Sequence, residues 1–237
     1  MRLNKFLARC GLDSRRKCDD IIKNRKISVN GEIITDFSYQ VKEEDVILFN
    51  GKYLEIEHDS IVYILNKPKG YVCTSKDTHD RLKVVDLIDT DARLFTIGRL
   101  DRDTTGIILL TNDGDLSNNL LHPKFRVPRI YKAEIEGILD SKTINKILKG
   151  IFIGEGEFGR AEILRQRKNK KRNTVELRLF TGKKREIRRI FSFLKIRIFS
   201  LKRIQYGPVK LGKLPIGEWR FLNEKEMNEL YNWRKNV

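Results

Sequence analysis

One loop of the sequence places a carboxylate among arginines, between two apolar runs. The loop runs from Gly98 to Asp103, with Asp101 standing between Arg99 and Arg102. Loops held between buried strands are where a rigid scaffold presents reactive groups. An ionised carboxylate in such a loop can act as a nucleophile, stabilise positive charge or take a proton. On spacing alone, an aspartate beside arginines is more often a structural ion pair, so both interpretations stay open at this stage.

Metal and thiol chemistry have little support elsewhere in the chain. The sequence has three histidines and three cysteines, scattered and without a C-x-x-C pair. Because zinc sites need clustered ligands, we predict no metal. The odd number of cysteines predicts reduced thiols in a cytoplasmic protein. His122 lies near Asp115 and Ser117, but the sequence has no nucleophile elbow, so we predict no hydrolase triad. The charged start, Met1 to Lys5, has no apolar run after it and predicts no signal peptide.

The charge balance indicates a polyanionic partner. The 237 residues include 49 Lys and Arg against 32 Asp and Glu, which leaves a formal net charge of +17. Excess charge of this size repels itself in a compact protein, whereas binding to a polyanion releases condensed counterions. A membrane would require an apolar run of about 20 residues or an isolated basic amphipathic helix, and neither is present. The composition therefore favours nucleic acid.

Residues 1–58 predict a small module of helices and short strands. Apolar residues at helical spacing begin at Leu3, and Ser14 is placed to cap a second helix. The Asn-Gly pairs at 30–31 and 50–51 predict tight hairpins, because both positions of such a turn need positive φ. The polar residues 55–60, at the end of this module, predict a short linker.

Residues 61–237 predict a larger second domain. The apolar run from Ile61 to Leu65 predicts a buried strand, and residues 131–135 and 175–179 alternate as half-buried strands do. Because strands and helices mix without regular β-α-β alternation, we predict an α+β fold with a mixed, mostly antiparallel sheet flanked by helices.

Three helices are predicted in this second domain. They begin at Ser141, after Gly182 and at Asn223, where Glu226 completes a capping box. The helix that begins at Ser141 is expected to turn its apolar residues inward, namely Ile144, Ile147 and Leu148.

The N-terminal module resembles an S4 RNA-binding domain. The matching positions are Arg2-Leu3 with Lys5, then Ser14-Arg15-Arg16, and Val29-Asn30-Gly31. The resemblance implies that the basic side chains at the starts of two consecutive helices lie on RNA phosphates. The alternative is that they are ordinary solvated charges.

Several longer segments resemble the motifs of pseudouridine synthases, in the same order along the chain. Gly98-Arg99-Leu100-Asp101, with Thr104, Gly106 and the following Leu-Leu-Thr-Asn-Asp-Gly, resembles the catalytic motif. Further resemblances run through residues 67–70, 122–131, 182–189 and 201–208. With the S4-like start, the chain is similar to the RsuA/RluB/RluE/RluF family of S4-containing pseudouridine synthases over nearly its whole length. We therefore expect the fold of a pseudouridine synthase catalytic domain after residue 61.

The resemblance assigns catalytic roles. Asp101 is the catalytic carboxylate, and Arg188 is its cationic partner, with Arg185 as the alternative. Tyr131 is placed against the target uracil, although a core tyrosine on a half-buried strand is about as compatible with the local pattern. Isomerisation of uridine to pseudouridine, the reaction that the resemblance implies, involves no redox change and no net hydrolysis, so no cofactor is expected.

A set of cations is expected to bind RNA by the same resemblance. Arg99 is expected either to fill the gap left by the extracted nucleotide or to hold phosphate. Lys67 and Lys69 are expected to line the RNA channel, unless they simply form a charged turn. The basic tract from Arg165 to Arg172 predicts a hairpin tip that contacts phosphates without reading sequence. The full predicted set is Arg2, Lys5, Arg15, Arg16, Lys17, Lys67, Lys69, Arg99, Lys183 and Arg185.

The chain departs from the family pattern at two positions. Glu186 stands where glutamine is more usual, and Thr105 stands where many relatives carry glutamate. Residues 127–131 and the Gly11 to Ser14 spacing are closer to the large-subunit (RluB-type) enzymes than to the small-subunit ones. The expected substrate is therefore a uridine of 23S rRNA, free or in a ribosomal assembly intermediate, acted on by a cytoplasmic monomer without membrane contact. The alternatives are a 16S rRNA enzyme, a non-catalytic RNA-binding assembly factor and, more remotely, a DNA-binding regulator.

Overall fold

The computed structural model describes residues 1–56, 60–74, 77, 79–169 and 172–233. His58, Lys170 and Lys171, which entered the sequence predictions, lie outside the described residues. By its internal contacts the chain divides into two compact units. The first comprises residues 1–61 with the short segments 90–94 and 111–114, and the second comprises the remainder.

The first unit consists of two helices and a four-stranded sheet. Its elements are α1 (Leu3–Arg9), α2 (Arg15–Lys23), β1 (Ile27–Val29), β2 (Glu32–Ile33), β3 (Ile47–Phe49) and β4 (Lys52–Tyr53). The sheet order is β2-β1-β3-β4. Ser14 caps α2, as predicted, because its side chain accepts a hydrogen bond from the Lys17 N–H. Positive φ at Asn30 and Gly31 (51° and 87°) confirms the first predicted hairpin turn.

The core of this unit lies between the helices and the sheet. Leu3, Leu7, Cys18, Ile22 and Ile27 are fully buried there. Burial raises the pKa of the Cys18 thiol to about 11. Cys18 therefore behaves as a small apolar core residue at neutral pH.

The elements from residue 62 onward make up the larger unit and its borders. They are β5 (Val62–Lys67), β6 (Phe95–Ile97), β7 (Thr105–Thr111), α3 (Gly114–Leu121), β8 (Arg129–Ile135), α4 (Ser141–Lys149), β9 (Ile151–Phe152), β10 (Phe158–Gly159), β11 (Glu162–Arg167), β12 (Asn173–Leu179), α5 (Glu186–Phe193), β13 (Ile198–Tyr206), β14 (Val209–Lys210), β15 (Trp219–Phe221) and α6 (Glu224–Asn232). Short 3-10 helices span Val84–Leu87 and Pro123–Phe125.

A nine-stranded mixed sheet is the framework of the larger unit. Its main order is β11-β12-β8-β13-β7-β5-β15, with β14 paired to β13 and β6 paired to β7. β8 is antiparallel to both β12 and β13, whereas β13 runs parallel to β7. Every residue of β5 is buried, which is typical of a strand covered on both faces. The predicted α+β class with a mixed sheet is confirmed.

Two apolar clusters hold the helices against this sheet. One joins α3 and α6 to the sheet through Leu116, Leu120 and Leu230. The other joins α4 and α5 through Ile147 and Ile190. These helices cover the framework that carries the loop around Asp101.

Local details of the helices both confirm and correct the sequence predictions. The capping box of Asn223 and Glu226 opens α6 as predicted. At α4 the cap is Asp140, whose side chain accepts from the Thr143 N–H. Leu148 was predicted to face inward, but it is 54% exposed, so that prediction was wrong. None of the described helices is long and apolar enough to cross a bilayer.

Candidate active site

Asp101 lies in the loop between β6 and β7. The chain leaves β6 through Gly98, which has a φ of 73°. The Thr104 N–H then donates to the Asp101 carbonyl at 3.0 Å, which closes a tight turn before β7 begins. The Asp101 side chain remains 32% exposed. The turn therefore presents the carboxylate at a surface while its backbone is held by the hydrogen bond from Thr104.

Two arginines of one segment face this carboxylate. The Asp101 Oδ2 atom lies 3.6 Å from Arg185 Nη1 and 3.6 Å from Arg188 Nε. Arg188 Nη2 also donates to the Asp103 carbonyl and to the Thr104 hydroxyl, both at 3.3 Å. Arg188 Nε is buried and has no hydrogen-bond partner among the described residues. Both arginines that the resemblance offered as partners thus lie at ion-pair distance, and Arg188 is the one anchored to the loop.

Glu186, which stands where glutamine is more usual in the family, fixes the start of α5. Glu186 is 4% exposed. Its oxygens accept from the Thr181 hydroxyl at 2.8 Å, from the Lys183 N–H at 3.2 Å and from the Arg160 N–H at 3.3 Å. A negative charge at a helix N-terminus is electrostatically favourable. Glu186 therefore stabilises the turn that carries Arg185 and leads into the helix of Arg188.

Lys67 occupies a place that the sequence did not predict. It is fully buried at the end of β5. Its ammonium group donates to the Pro68 carbonyl at 2.9 Å, the Thr104 carbonyl at 3.0 Å and the Arg102 carbonyl at 3.3 Å. Burial lowers the pKa of Lys67 from its ordinary value, and the negative charges of Asp103 and Asp101 oppose that effect. The expectation that Lys67 lines an RNA channel was wrong, since the side chain instead holds the backbone of the Asp101 loop.

Two further contacts tie the same loop to the segment after β5. The Gly70 N–H donates to the Arg102 carbonyl at 2.9 Å. The Leu100 N–H donates to the Cys73 sulfur at 3.3 Å. Burial raises the pKa of the Cys73 thiol, so this sulfur serves as a neutral acceptor. No sequence signal pointed to Cys73, because a single cysteine carries no spacing pattern.

Replacement of Lys67 by methionine is expected to destabilise the protein by about 3 kcal/mol. The substitution keeps the length of the side chain but removes the donor from carbonyls at the base of the loop, and an unsatisfied buried group costs roughly 1–3 kcal/mol. Denaturant unfolding measures the change. Lys69→Met is the matched control, because Lys69 is exposed in the same turn and surface substitutions stay within about 0.5 kcal/mol. Equal stability of the two variants would contradict the assigned role of Lys67.

A large open cleft lies in front of Asp101. Its volume of about 1740 Å³ exceeds the roughly 300–1,000 Å³ of a typical small-molecule pocket. Arginines and lysines outnumber carboxylates among the residues that line it. Six of the predicted residues line this one cleft: Arg99, Asp101, Tyr131, Lys183, Arg185 and Arg188. Its size and charge suit a nucleic-acid strand.

Tyr131 lies on β8, on the wall of the cleft. It pairs across the sheet with Leu177 on β12 and with Arg203 on β13. The residue is partly buried against an apolar cluster. It therefore combines the two interpretations left open by the sequence: its ring is supported by the core and it also borders the cleft.

The cleft contains an aromatic-cation pair that the sequence did not single out. The Arg126 guanidinium lies 5.1 Å from the centre of the Phe180 ring, and both residues line the cleft. Arg126 has a φ of 41°, a conformation uncommon for a residue with a side chain. Exposed aromatic rings and guanidinium planes are surfaces on which unpaired bases stack. Neither residue follows a spacing rule, so only the tertiary fold reveals the pair.

The remaining predicted RNA-binding residues lie outside this cleft. Lys69 is exposed and is not part of the cleft lining. In the first unit, Arg2 precedes α1, and Arg15, Arg16 and Lys17 form the exposed first turn of α2. Lys5, within α1, is half-buried. Lys17 pairs with Asp13 at 3.2 Å, which partly neutralises it. Among the described residues no three His, Cys, Asp or Glu side chains converge as metal ligands.

The chain matches known families over both units. Residues 61–193 match the family described as RNA pseudouridylate synthase, and residues 1–47 match the S4 domain. An S4 module followed by a pseudouridylate synthase domain is the organisation of a class of RNA-modifying isomerases. The chain belongs to the RNA pseudouridylate synthase family, in the branch that carries an N-terminal S4 domain.

Relatives across bacteria support this assignment over the full length. A Bacillus subtilis protein named ribosomal large subunit pseudouridine synthase B is 36% identical, covering 97% of this chain and 95% of the relative. The dual-specificity RNA pseudouridine synthase RluF of Escherichia coli is 32% identical over all of this chain and 80% of its own length. A solved structure described as a pseudouridylate synthase superposes with a TM-score of 0.69 at 29% identity, covering 97% of this chain and 99% of the other. The predicted RsuA/RluB-type family is confirmed.

Proposed function

We propose that this chain converts a specific uridine of 23S rRNA to pseudouridine, with Asp101 as the catalytic carboxylate, Arg188 as its partner and Tyr131 against the base. The observation that carries the proposal is the position of Asp101, ion-paired with Arg185 and Arg188 on the wall of a basic cleft. One chain contributes all of these residues, which supports action as a monomer. Ribosomal RNA as the substrate supports a cytoplasmic site of action.

The reaction exchanges one bond of the nucleotide for another. The bond between C1′ and N1 breaks, a bond between C1′ and C5 forms, the C5 proton leaves and N1 gains a proton. The net composition is unchanged, so the protein has to supply positioning and charge rather than a co-reactant. Cleavage of a glycosidic bond places positive character on the sugar. A carboxylate facing C1′ stabilises that character, and this is the role proposed for Asp101.

The two arginines give the carboxylate a counter-charge in the complex with RNA. When a base enters the cleft and excludes water, an unpaired carboxylate would lose its hydration. Arg188 is held to the loop by Asp103 and Thr104, so it stays beside Asp101 as the RNA binds. Arg185 is 48% exposed and has more freedom to contact phosphate. This difference favours Arg188 as the permanent partner.

The target nucleotide must leave its helix before this chemistry can occur. Enzymes that act on a base extract it from the stack and hold it between aromatic or apolar side chains. Tyr131 is the aromatic residue proposed to hold the uracil, with Arg99 in the space from which the nucleotide came. The Arg126 and Phe180 pair offers a further stacking surface for a neighbouring base.

The choice of 23S over 16S rRNA rests on the relatives. Proteins of Bacillus subtilis and Buchnera aphidicola, at 36% and 35% identity, are both named ribosomal large subunit pseudouridine synthase B. Purified protein should be incubated with 23S and 16S transcripts and with ribosomal precursors, followed by carbodiimide treatment and reverse transcription. We expect one new stop, in 23S rRNA. A stop in 16S rRNA instead would show that 16S rRNA is the substrate. Binding without any stop would favour a non-catalytic assembly factor.

Replacing both Arg15 and Arg16 by alanine is expected to raise KM about tenfold while kcat stays within about twofold. These exposed residues contact RNA phosphates in the proposed complex, so their loss removes binding that is equal in the ground and transition states. Steady-state kinetics at two salt concentrations measure the effect, and the salt dependence should become shallower. The double variant Lys23→Ala, Lys26→Ala is the control, because Lys23 ends α2 and Lys26 follows it, away from the first turn of the helix. Equal changes in both double variants would show that only total charge matters.

A further inference from the structure

Arg203 is a buried cation that the mechanism above does not use. It lies on β13 and is 2% exposed. Its Nε donates to the Ile107 carbonyl of β7 at 2.8 Å. Its guanidinium lies 5.1 Å from the centre of the Tyr206 ring. The Nε side of the guanidinium group is thus fixed by the neighbouring strand.

Another nitrogen of the same guanidinium group lacks a hydrogen-bond acceptor. Its Nη2 atom is buried and has no hydrogen-bond partner among the described residues. Among the described residues, Arg203 forms no ion pair with a carboxylate. Burying a charged donor without a partner is costly, and stable proteins tolerate it where a ligand or function compensates. We therefore expect a ligand to supply the hydrogen-bond acceptor for Arg203.

The cleft is the place from which such an acceptor can come. Arg203 is one of the residues that line it, together with Cys73 and Tyr131. Tyr131 is its direct partner across the β8–β13 pair, so the two side chains lie on the same face of the sheet. Arg203 and the residue proposed to hold the uracil therefore share the face of the sheet that borders the cleft.

We propose that Arg203 Nη2 donates a hydrogen bond to a carbonyl oxygen of the target uracil and stabilises the negative charge that develops on the detached base. This inference rests on the proposed function. When the C1′–N1 bond breaks, its electron pair stays with N1 and is delocalised onto O2 and O4. In this role Arg203 supplies a hydrogen bond and positive charge, and it stabilises the anion without transferring a proton. The proton acquired later by N1 has another source.

Variants of Arg203 separate this role from a structural one. Arg203→Met is expected to lower kcat at least 100-fold with KM changed less than threefold, as loss of one preorganised donor does. Arg203→Lys keeps the charge and is expected to lower kcat about tenfold. Tyr206→Phe is the control, because it removes a buried hydrogen bond to the Leu120 carbonyl from the same strand. It should lower stability while kcat stays within twofold of wild type.

Thio-substituted RNA provides the decisive readout. Transcripts with 2-thiouridine or 4-thiouridine at the target position are compared with uridine, using wild type and Arg203→Lys. At the carbonyl that Arg203 contacts, sulfur should slow the wild type several-fold and slow the lysine variant much less. The analogue that shows this coupling identifies the oxygen. Additive effects with both analogues, or wild-type kcat in Arg203→Lys, would overturn the inference while leaving the proposed function intact. Failure of the wild type to modify unsubstituted RNA would overturn both the inference and the proposed function. If Arg203→Met does not fold, the kinetics of Arg203→Lys provide the test.

Discussion

Asp101→Asn is expected to lower pseudouridine formation at least 1,000-fold while RNA binding stays within about threefold of wild type. Asparagine keeps the size and much of the hydrogen bonding of aspartate but removes the charge. The proposed contribution of that charge exists only as the glycosidic bond breaks, so the loss should fall on kcat and not on KM. A 1,000-fold loss corresponds to about 4 kcal/mol of transition-state stabilisation. Single-turnover kinetics with saturating enzyme measure it, and a filter-binding titration measures affinity.

A matched control is available two residues further along the same loop. Asp103 is exposed, and its contact with Arg188 is made by its backbone carbonyl. Asp103→Asn therefore removes the same charge from the same turn without touching the proposed chemistry. We expect its rate to stay within about threefold of wild type. Equal losses in the two variants would mean that the loop needs negative charge in general, and the specific role of Asp101 would be lost.

Gly106→Ala is expected to destabilise the protein by more than about 3 kcal/mol and to lower Tm by about 10 °C. Gly106 lies opposite Arg203 in the parallel pairing of β7 and β13. A Cβ atom there would lie 2.1 Å from the Arg203 carbonyl oxygen and 2.7 Å from its backbone nitrogen. The residue also has a φ of 103°, which side chains rarely adopt. The two strands would have to separate directly behind the Asp101 loop, so both the free energy of unfolding and the activity should fall.

Gly212→Ala separates the clash from the backbone conformation. Gly212 has a φ of 59°, yet no atom lies within 4 Å of the position that a Cβ atom would take there. That variant should lose only the roughly 1–2 kcal/mol of a left-handed backbone. Thermal and denaturant unfolding of both variants give the comparison. A Gly106→Ala protein as stable as Gly212→Ala would show that the close approach of β7 and β13 is not tight.

Features that depend on a few neighbouring residues were predictable from the sequence. The Asn30-Gly31 turn needs positive φ at both positions, and few other residue pairs supply it. The capping box of Asn223 and Glu226 satisfies backbone groups within one turn of helix. The apolar alternation of residues 131–135 fixes which face of β8 is buried. Each of these choices is made within a handful of residues, so pattern and physics coincide.

Features that depend on distant residues were not predictable in the same way. Lys67 looks like any lysine in a charged turn, and only the carbonyls of Arg102 and Thr104, more than 30 residues away, show that its ammonium is buried. Arg203 is likewise indistinguishable from its neighbour Lys202 until β13 pairs with β7. The ion pairs at Asp101 join two segments more than 80 residues apart, and the motif resemblance rather than residue spacing indicated them. Burial of a charge is a tertiary property, which explains these outcomes.

The most direct test of the central proposal follows the hydrogen at C5 of uridine. Pseudouridine formation replaces the C5–H bond by a C5–C1′ bond, so RNA made with 5-tritiated uridine must release tritium into water. We expect the wild-type protein to release about one equivalent per 23S rRNA molecule and Asp101→Asn to release none. Release at the same rate by Asp101→Asn, or no release from any ribosomal RNA preparation that the wild type binds, would contradict the proposal.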